Sequence, residues 1–134
     1  MKQEKTNIKP TGSELEILTI LWENGPMTVR SVNERLNLKK DVGYTTTLKI
    51  LQIMTEKNLV SRRLENRTHI YSAIAGKEET RKAMLDSLLE TAFGGSAMKM
   101  VMQALGNHNA TREELEDLRK LIDRIEKKEE DAIY

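Results

Sequence analysis

The order of helix-like and strand-like patterns in the first 75 residues is the strongest constraint on how this chain folds. Apolar residues first recur at helical spacing in three segments, at about 13–24, 28–36 and 44–57. Two short segments of strand character follow, 59–64 and 68–74, on either side of a turn-like 65–67. Three helices followed by a hairpin is the layout of a winged helix-turn-helix, and no other common small fold fits this order as well.

Local signals predict where these helices begin and end. Ser13 and Glu16 have the spacing of a capping box, which leaves residues 1–12 as a mobile arm. Thr28 is predicted to cap the second helix. Asn58 is predicted to end the third helix in a left-handed conformation.

Beyond Ala75-Gly76 the patterns are helical throughout. One helix is predicted over 77–93, with Met84, Leu85, Leu88 and Leu89 facing inward, and a short one over 96–105 that ends at Gly106. Thr111 and Glu114 form a second capping box before a last helix. Four apolar residues of that helix have the 3-4-3 spacing of a coiled-coil seam: Leu115, Leu118, Ile122 and Ile125.

The charge distribution divides the chain in the same place. Residues 1–75 hold 12 Lys and Arg against 8 Asp and Glu, a balance of +4, whereas residues 76–134 hold 10 against 13, a balance of −3. A basic front half is typical of a domain that binds a polyanion. The predicted fold class is mainly α: an α+β winged helix-turn-helix domain with a small β-hairpin wing (1–75), followed by an all-α dimerisation domain (76–134).

Composition excludes several classes of protein. Apolar residues make up 38% of the chain and charged residues 32%, and no apolar run approaches the ~20 residues that cross a bilayer. The N-terminus lacks the apolar stretch of a secretory signal, so we expect a cytoplasmic protein. Cysteine is absent, His69 and His108 are the only histidines, and no Walker A, HExxH or GxSxG motif occurs. We therefore expect no metal, no cofactor and no enzymatic activity.

The third predicted helix has the composition of a recognition helix. One side is predicted to face the core, through Thr47, Ile50, Leu51 and Met54. The opposite side carries Thr45, Lys49, Gln52 and Glu56, with Tyr44, Thr46 and Leu48 on the flanks. Hydroxyl, amine and amide groups in the first turns can contact base edges in the major groove of DNA. An ordinary solvated helix face is the alternative interpretation.

Basic residues of the hairpin extend this predicted interface. Arg67 lies at the turn and is predicted to contact DNA, whereas Arg62 and Arg63 point to opposite sides, so only one of them can face the duplex. Arg62 and Arg63 could equally protect the edge of the sheet. Thr28, at the start of the second helix, could help to hold a phosphate.

The C-terminal helices are predicted to join two copies of the chain. So small a helical part would bury little core alone, which favours packing between subunits. The predicted dimerisation residues are apolar and lie in all three C-terminal helices: Leu88, Met102, Leu115, Leu118, Leu121, Ile122 and Ile125.

Five segments of the chain form a recognisable combination: residues 11–18, 21–29, 44–48, 56–60, and the Phe93-Gly94-Gly95 turn with the helices after it. Together they resemble the penicillinase-repressor (BlaI/MecI/CopY) family. The resemblance implies a homodimeric transcriptional repressor that binds palindromic operator DNA upstream of resistance or stress genes. In the β-lactam branch, a membrane sensor with a metalloprotease domain triggers cleavage that separates DNA binding from dimerisation.

The chain departs from the family pattern at three points. The absence of cysteine excludes the thiolate copper sensing of the family's copper branch. The bond that the β-lactam branch cleaves falls on Gln103-Ala104, whose residue types differ from the family's Asn-Phe. Ile53 stands where some relatives carry a basic residue, so the operator sequence does not transfer from them.

Two other functions remain open at this stage. The winged helix could be a protein-interaction module with the helical tail as an assembly domain. The chain could also be a ligand-sensing regulator with a cavity at the dimer interface.

Overall fold

A computed structural model describes residues 9–133 of the chain. The elements, in chain order, are α1 Gly12–Asn24, β1 Met27–Thr28, α2 Val29–Leu36, α3 Tyr44–Glu56, β2 Val60–Glu65, β3 Thr68–Ala73, α4 Lys77–Phe93, α5 Ala97–Asn107 and α6 Arg112–Ile133. The strands form an antiparallel sheet in the order β1-β3-β2. The predicted fold class is confirmed: a mainly helical chain with a winged helix-turn-helix at its front.

The first helix begins earlier than predicted. Thr11 is its N-cap and forms the capping box with Glu14, so the predicted Ser13–Glu16 box is wrong. The Glu14 carboxylate accepts a hydrogen bond from the Thr11 backbone N–H at 2.9 Å, and the Thr11 hydroxyl accepts one from the Glu14 N–H at 3.2 Å. Thr11 has the same three-residue spacing to a glutamate as Ser13. The helix therefore takes in part of the predicted arm, of which residues 1–8 lie outside the described part of the chain.

The core of the front domain joins all three helices to the sheet. Its buried apolar residues come from the three helices, from β2 and β3, and from the α3–β2 connection: Ile17, Leu18, Leu21, Val29, Val32, Leu36, Leu51, Met54, Leu59, Val60 and Tyr71. Tyr71 is fully buried, and its hydroxyl has no hydrogen-bond partner among residues 9–133. Because an unpaired buried hydroxyl is costly, the contribution of Tyr71 to stability comes from its ring.

Most of the predicted signals in the front domain are confirmed. Thr28 caps α2 by accepting a hydrogen bond from the Ser31 N–H, and Asn58 follows α3 with φ +64°. The sequence analysis missed β1, whose two residues pair with Ile70 and Tyr71 of β3. So short a strand has no periodicity of its own, and it forms because β3 offers an unpaired edge.

The chain divides into two compact units, Met1–Ser87 and Leu88–Tyr134. The division falls within α4, later than the boundary predicted at 75/76, and that domain boundary stays a prediction. Gly94 and Gly95 end α4 with φ values of +56° and +84°, which glycine adopts without steric cost.

Two expectations for the C-terminal helices are wrong. Leu85 and Leu88 do not face inward, because both side chains are about half exposed. Gly106 does not end α5, which continues to Asn107, since a single glycine costs a helix only about 1 kcal/mol. The box of Thr111 and Glu114 at the start of α6 is confirmed by both of its hydrogen bonds.

Within residues 9–133, no helix is both long enough and apolar enough to cross a membrane.

Candidate nucleic-acid interface

Helix α3 presents a polar stripe on the surface of the front domain. Its core side is fixed by Thr47, Leu51 and Met54, each fully buried. The side chains predicted to contact DNA are all exposed: Tyr44, Thr45, Thr46, Lys49 and Gln52. The predicted division of this helix into a core face and a polar face is therefore confirmed. Leu48 and Ile50 are half-buried at the borders.

A side-chain network holds the loop before α3. The Asn33 amide donates to the Val42 carbonyl at 3.0 Å and to the Thr47 hydroxyl at 2.8 Å. The Asn37 amide also donates to the Val42 carbonyl, and its oxygen accepts from the Val42 N–H at 3.1 Å. Thr47 in turn donates to the Gly43 carbonyl. These bonds fix the start of α3 relative to α2, which positions the exposed stripe.

An ion pair holds the other end of α3. The Lys57 ammonium lies 3.0 and 2.9 Å from the two carboxylate oxygens of Glu14. The Glu14 side chain is only 5% exposed and that of Lys57 33%. The pair therefore ties the end of the recognition helix to the start of α1. Neither this pair nor the asparagine network was predicted from the sequence. The interacting residues lie in different segments, and the spacing of residues within one segment does not indicate a contact with another.

The β2–β3 hairpin forms the wing. Glu65 pairs with Thr68, which leaves Asn66 and Arg67 as a two-residue turn with φ values of +49° and +67°. Positive φ at both positions is the pattern of a type I′ turn, in which glycine usually follows asparagine. Arg67 occupies the position that favours glycine, at a backbone cost on the order of 1 kcal/mol. A basic side chain is thus kept at the tip of the wing.

The register of the hairpin separates the two remaining arginines. Arg62 pairs directly with Tyr71, and Arg63 pairs with Ile70. Since directly opposed residues share a face, Arg62 lies on the face that includes buried Tyr71, and Arg63 lies on the other face. Arg67 and both strand arginines are exposed.

Thr28 is already engaged within its own helix start. Its hydroxyl accepts from the Ser31 N–H and donates to the Ser31 hydroxyl, both at 3.1 Å. The structure therefore places Thr28 as a helix cap, and its predicted phosphate contact stays a prediction.

The predicted dimerisation residues lie on the surface of the C-terminal helices. Leu118 is half-buried and the others are exposed: Leu88, Met102, Leu115, Leu121, Ile122 and Ile125. Gln103 and Ala104, at the predicted cleavage bond, are exposed residues within helix α5. In the described part of the chain, no three His, Asp or Glu side chains are grouped as metal ligands.

These features define a class of protein: a winged-helix transcriptional regulator with additional C-terminal helices. The model of the penicillinase repressor family matches residues 10–124, and the chain belongs to this family. Members of the family are transcriptional repressors and not enzymes.

Two relatives illustrate the similarity. The transcriptional regulator BlaI of Mycobacterium tuberculosis is 30% identical, over 84% of this chain and 82% of its own. The penicillinase repressor of Staphylococcus aureus is 19% identical, over 87% of this chain and 92% of its own, and its name associates the family with antibiotic resistance.

The fold is also similar to that of more distant regulators. A mutant of MarR from E. coli, solved in complex with operator DNA, has a TM-score of 0.51 and 14% identity. The match covers 87% of this chain and 75% of MarR. At that identity the likeness concerns the fold alone.

Proposed function

We propose that the chain is a homodimeric repressor that binds palindromic operator DNA through α3 and the wing of each subunit. The observation that carries this proposal is the exposed polar stripe of α3, held at its start by the asparagine network and at its end by the Lys57–Glu14 ion pair. Within that stripe, Lys49 can donate to guanine or to a phosphate, and Gln52 can pair with adenine through two hydrogen bonds. Tyr44, Thr45 and Thr46 lie at the N-terminal end, which enters the major groove in this type of fold.

The wing would add sequence-independent binding. Arg67 at the tip and the strand arginines are exposed, and basic side chains there can neutralise phosphates and release counterions. Contacts of this kind position a protein on DNA, and the base contacts of α3 supply specificity.

Dimerisation is supported by the C-terminal unit. None of its described residues, 88–132, is buried, although the unit holds many large apolar side chains. Nine of these are exposed: Leu88, Met98, Val101, Met102, Leu105, Leu115, Leu121, Ile122 and Ile125. Phe93, Met98 and Met102 also line an open groove of about 620 Å³. A helical unit of this size cannot be stable with its apolar faces in water, so we infer that a second copy of the chain covers them.

A dimer would also explain selective binding. One winged helix contacts only a few base pairs, whereas two held about 34–36 Å apart contact both halves of a palindrome. Separating the dimer helices from the DNA-binding domain would release the operator without any change in base contacts.

We propose release by proteolysis as the regulation, on the ground of the resemblance to the β-lactam branch of the family. We place the cleavage bond at Gln103-Ala104 in α5, and the family points to a membrane sensor with a metalloprotease domain as the system that triggers the cut. The repressor itself would act in the cytoplasm, with the DNA.

Removal of the two central polar groups of α3 tests the proposed base contacts. Lys49→Ala and Gln52→Ala should each weaken operator binding by about 1–3 kcal/mol, because each removes a direct contact to a base. Binding is measured by fluorescence anisotropy on operator and scrambled duplexes. Lys120→Ala, which removes the same charge from exposed α6, is the control and should bind as the unmodified protein does. Unchanged operator affinity in both α3 variants would contradict the assignment of the recognition helix.

A further inference from the structure

The two arginines of strand β2 are in different electrostatic environments. On one face of the hairpin, Arg63 Nε donates to Glu65 Oε2 at 2.6 Å. These side chains are 55% and 50% exposed, so the pair is weak, but it places a carboxylate beside the guanidinium. Arg62 forms no ion pair with any residue in the described part of the chain.

The register extends this difference to the whole tip of the wing. Toward the tip, the face that carries Arg62 also carries Leu64 and His69, which pair with each other. The opposite face carries Arg63, Glu65 and Thr68. The first face therefore has a positive charge and no carboxylate, and the second has a net charge of zero.

The face of Arg62 is also the side of the sheet on which the recognition helix lies. Val60 and Tyr71 share that face and are buried in the core, where they meet residues of α3 such as Leu51 and Met54. Helix α3 packs directly against β2. Arg62 thus lies on the side of the sheet that the helices cover, and Arg63 lies on the side that faces away from them.

Leu64 gives this face a further property that favours nucleic acid. Its side chain is 64% exposed near the tip of the hairpin, and Leu64 is the next residue after Arg62 on the same face of β2. An apolar side chain next to a cation can pack on a deoxyribose while the guanidinium binds the adjacent phosphate.

We propose that Arg62, with Leu64 beside it and Arg67 at the tip, contacts the DNA backbone, and that Arg63 pairs with Glu65 and makes no contact with DNA. This inference rests on the proposed function, since it assigns one part of the same interface. The chemistry is recognition of a phosphodiester backbone without regard to base sequence.

The test compares Arg62→Gln with Arg63→Gln, its matched control on the other face of the same strand. Operator and scrambled duplexes are titrated by fluorescence anisotropy at several salt concentrations. Arg62→Gln should lower the slope of log affinity against log salt by about 0.9, the value for one lost phosphate contact. It should weaken binding to both duplexes by the same factor, and Arg62→Lys should restore the slope. Arg63→Gln should leave affinity and slope unchanged.

Three outcomes would overturn the inference. In the first, Arg63→Gln lowers the slope as much as Arg62→Gln or more. In the second, neither variant changes the slope while Lys49→Ala still weakens operator binding, which refutes the wing assignment and leaves the proposed function intact. In the third, the unmodified protein binds no duplex, which refutes both. Both positions are exposed on a strand, and the melting temperature of each variant shows that the fold is retained.

Discussion

Replacing Leu118 and Ile122 together by glutamate should convert the protein into a monomer that binds its operator poorly. The two residues lie one helical turn apart on α6, within the seam of Leu115, Leu118, Ile122 and Ile125. Two carboxylates in an apolar interface would lose their hydration without a partner. The operator affinity should fall by roughly a hundredfold to ten-thousandfold, because the second DNA-binding domain is no longer held near its half-site.

Sedimentation analysis measures the oligomeric state of this variant, and fluorescence anisotropy measures its operator affinity. Lys120→Glu is the matched control, since it adds the same change in charge to the same helix on the side opposite the seam. The control should remain dimeric. If the double variant still sediments as a dimer, the seam lies elsewhere. If it is monomeric but binds the operator as tightly as before, dimerisation plays no part in DNA binding.

Removing the charge of Lys57 should produce a large loss of stability. In Lys57→Met the apolar stem is kept, but the Glu14 carboxylate stays buried without its cation. Breaking such a pair costs about 3–5 kcal/mol when both partners are buried. Lys57 is one-third exposed and the Thr11 N–H still bonds the carboxylate, so we expect a loss of about 2–3 kcal/mol in the free energy of unfolding.

Urea denaturation at one fixed protein concentration measures this loss, since the stability of a dimer depends on concentration. Lys40→Met is the control. Its partner Glu16 lies 2.8 Å away, but the two side chains are 45% and 44% exposed, so its loss should be below about 1 kcal/mol. Adding Glu14→Gln to Lys57→Met should restore part of the stability, because no charge is then buried. If Lys57→Met and Lys40→Met lower the free energy of unfolding equally, burial of Glu14 does not explain the contribution of the Lys57–Glu14 pair.

The local elements of the front domain were predictable because their signals are local. The spacing of apolar residues in α3 predicted which face is buried. Thr28 correctly predicted the start of α2, and Asn58 the end of α3. The error at α1 has the same origin. Thr11–Glu14 and Ser13–Glu16 have the same spacing, and tertiary contact decides between them, because only Glu14 is buried against Lys57.

The contacts that position the candidate interface were not predictable. Glu14 and Lys57 are 43 residues apart, and nothing in either segment specifies the other. Alternation within strand β2 predicts that Arg62 and Arg63 lie on opposite faces of the sheet. Only the pairing with Tyr71 and Ile70 shows which arginine lies on which face. For the C-terminal helices, the spacing of apolar residues predicts which face is apolar but not what covers that face. Leu85 and Leu88 were therefore predicted to face inward, although both side chains are exposed.

The central claim is that this chain binds a specific DNA sequence as a repressor. The most direct test is fluorescence anisotropy with DNA from upstream of its own gene and its neighbours, against a scrambled duplex, at two salt concentrations. We predict tight binding to one of the natural duplexes that weakens steeply as salt rises and is much weaker on the scrambled duplex. Absence of binding to every duplex at low salt would contradict the account and would favour a protein-interaction role for the winged helix.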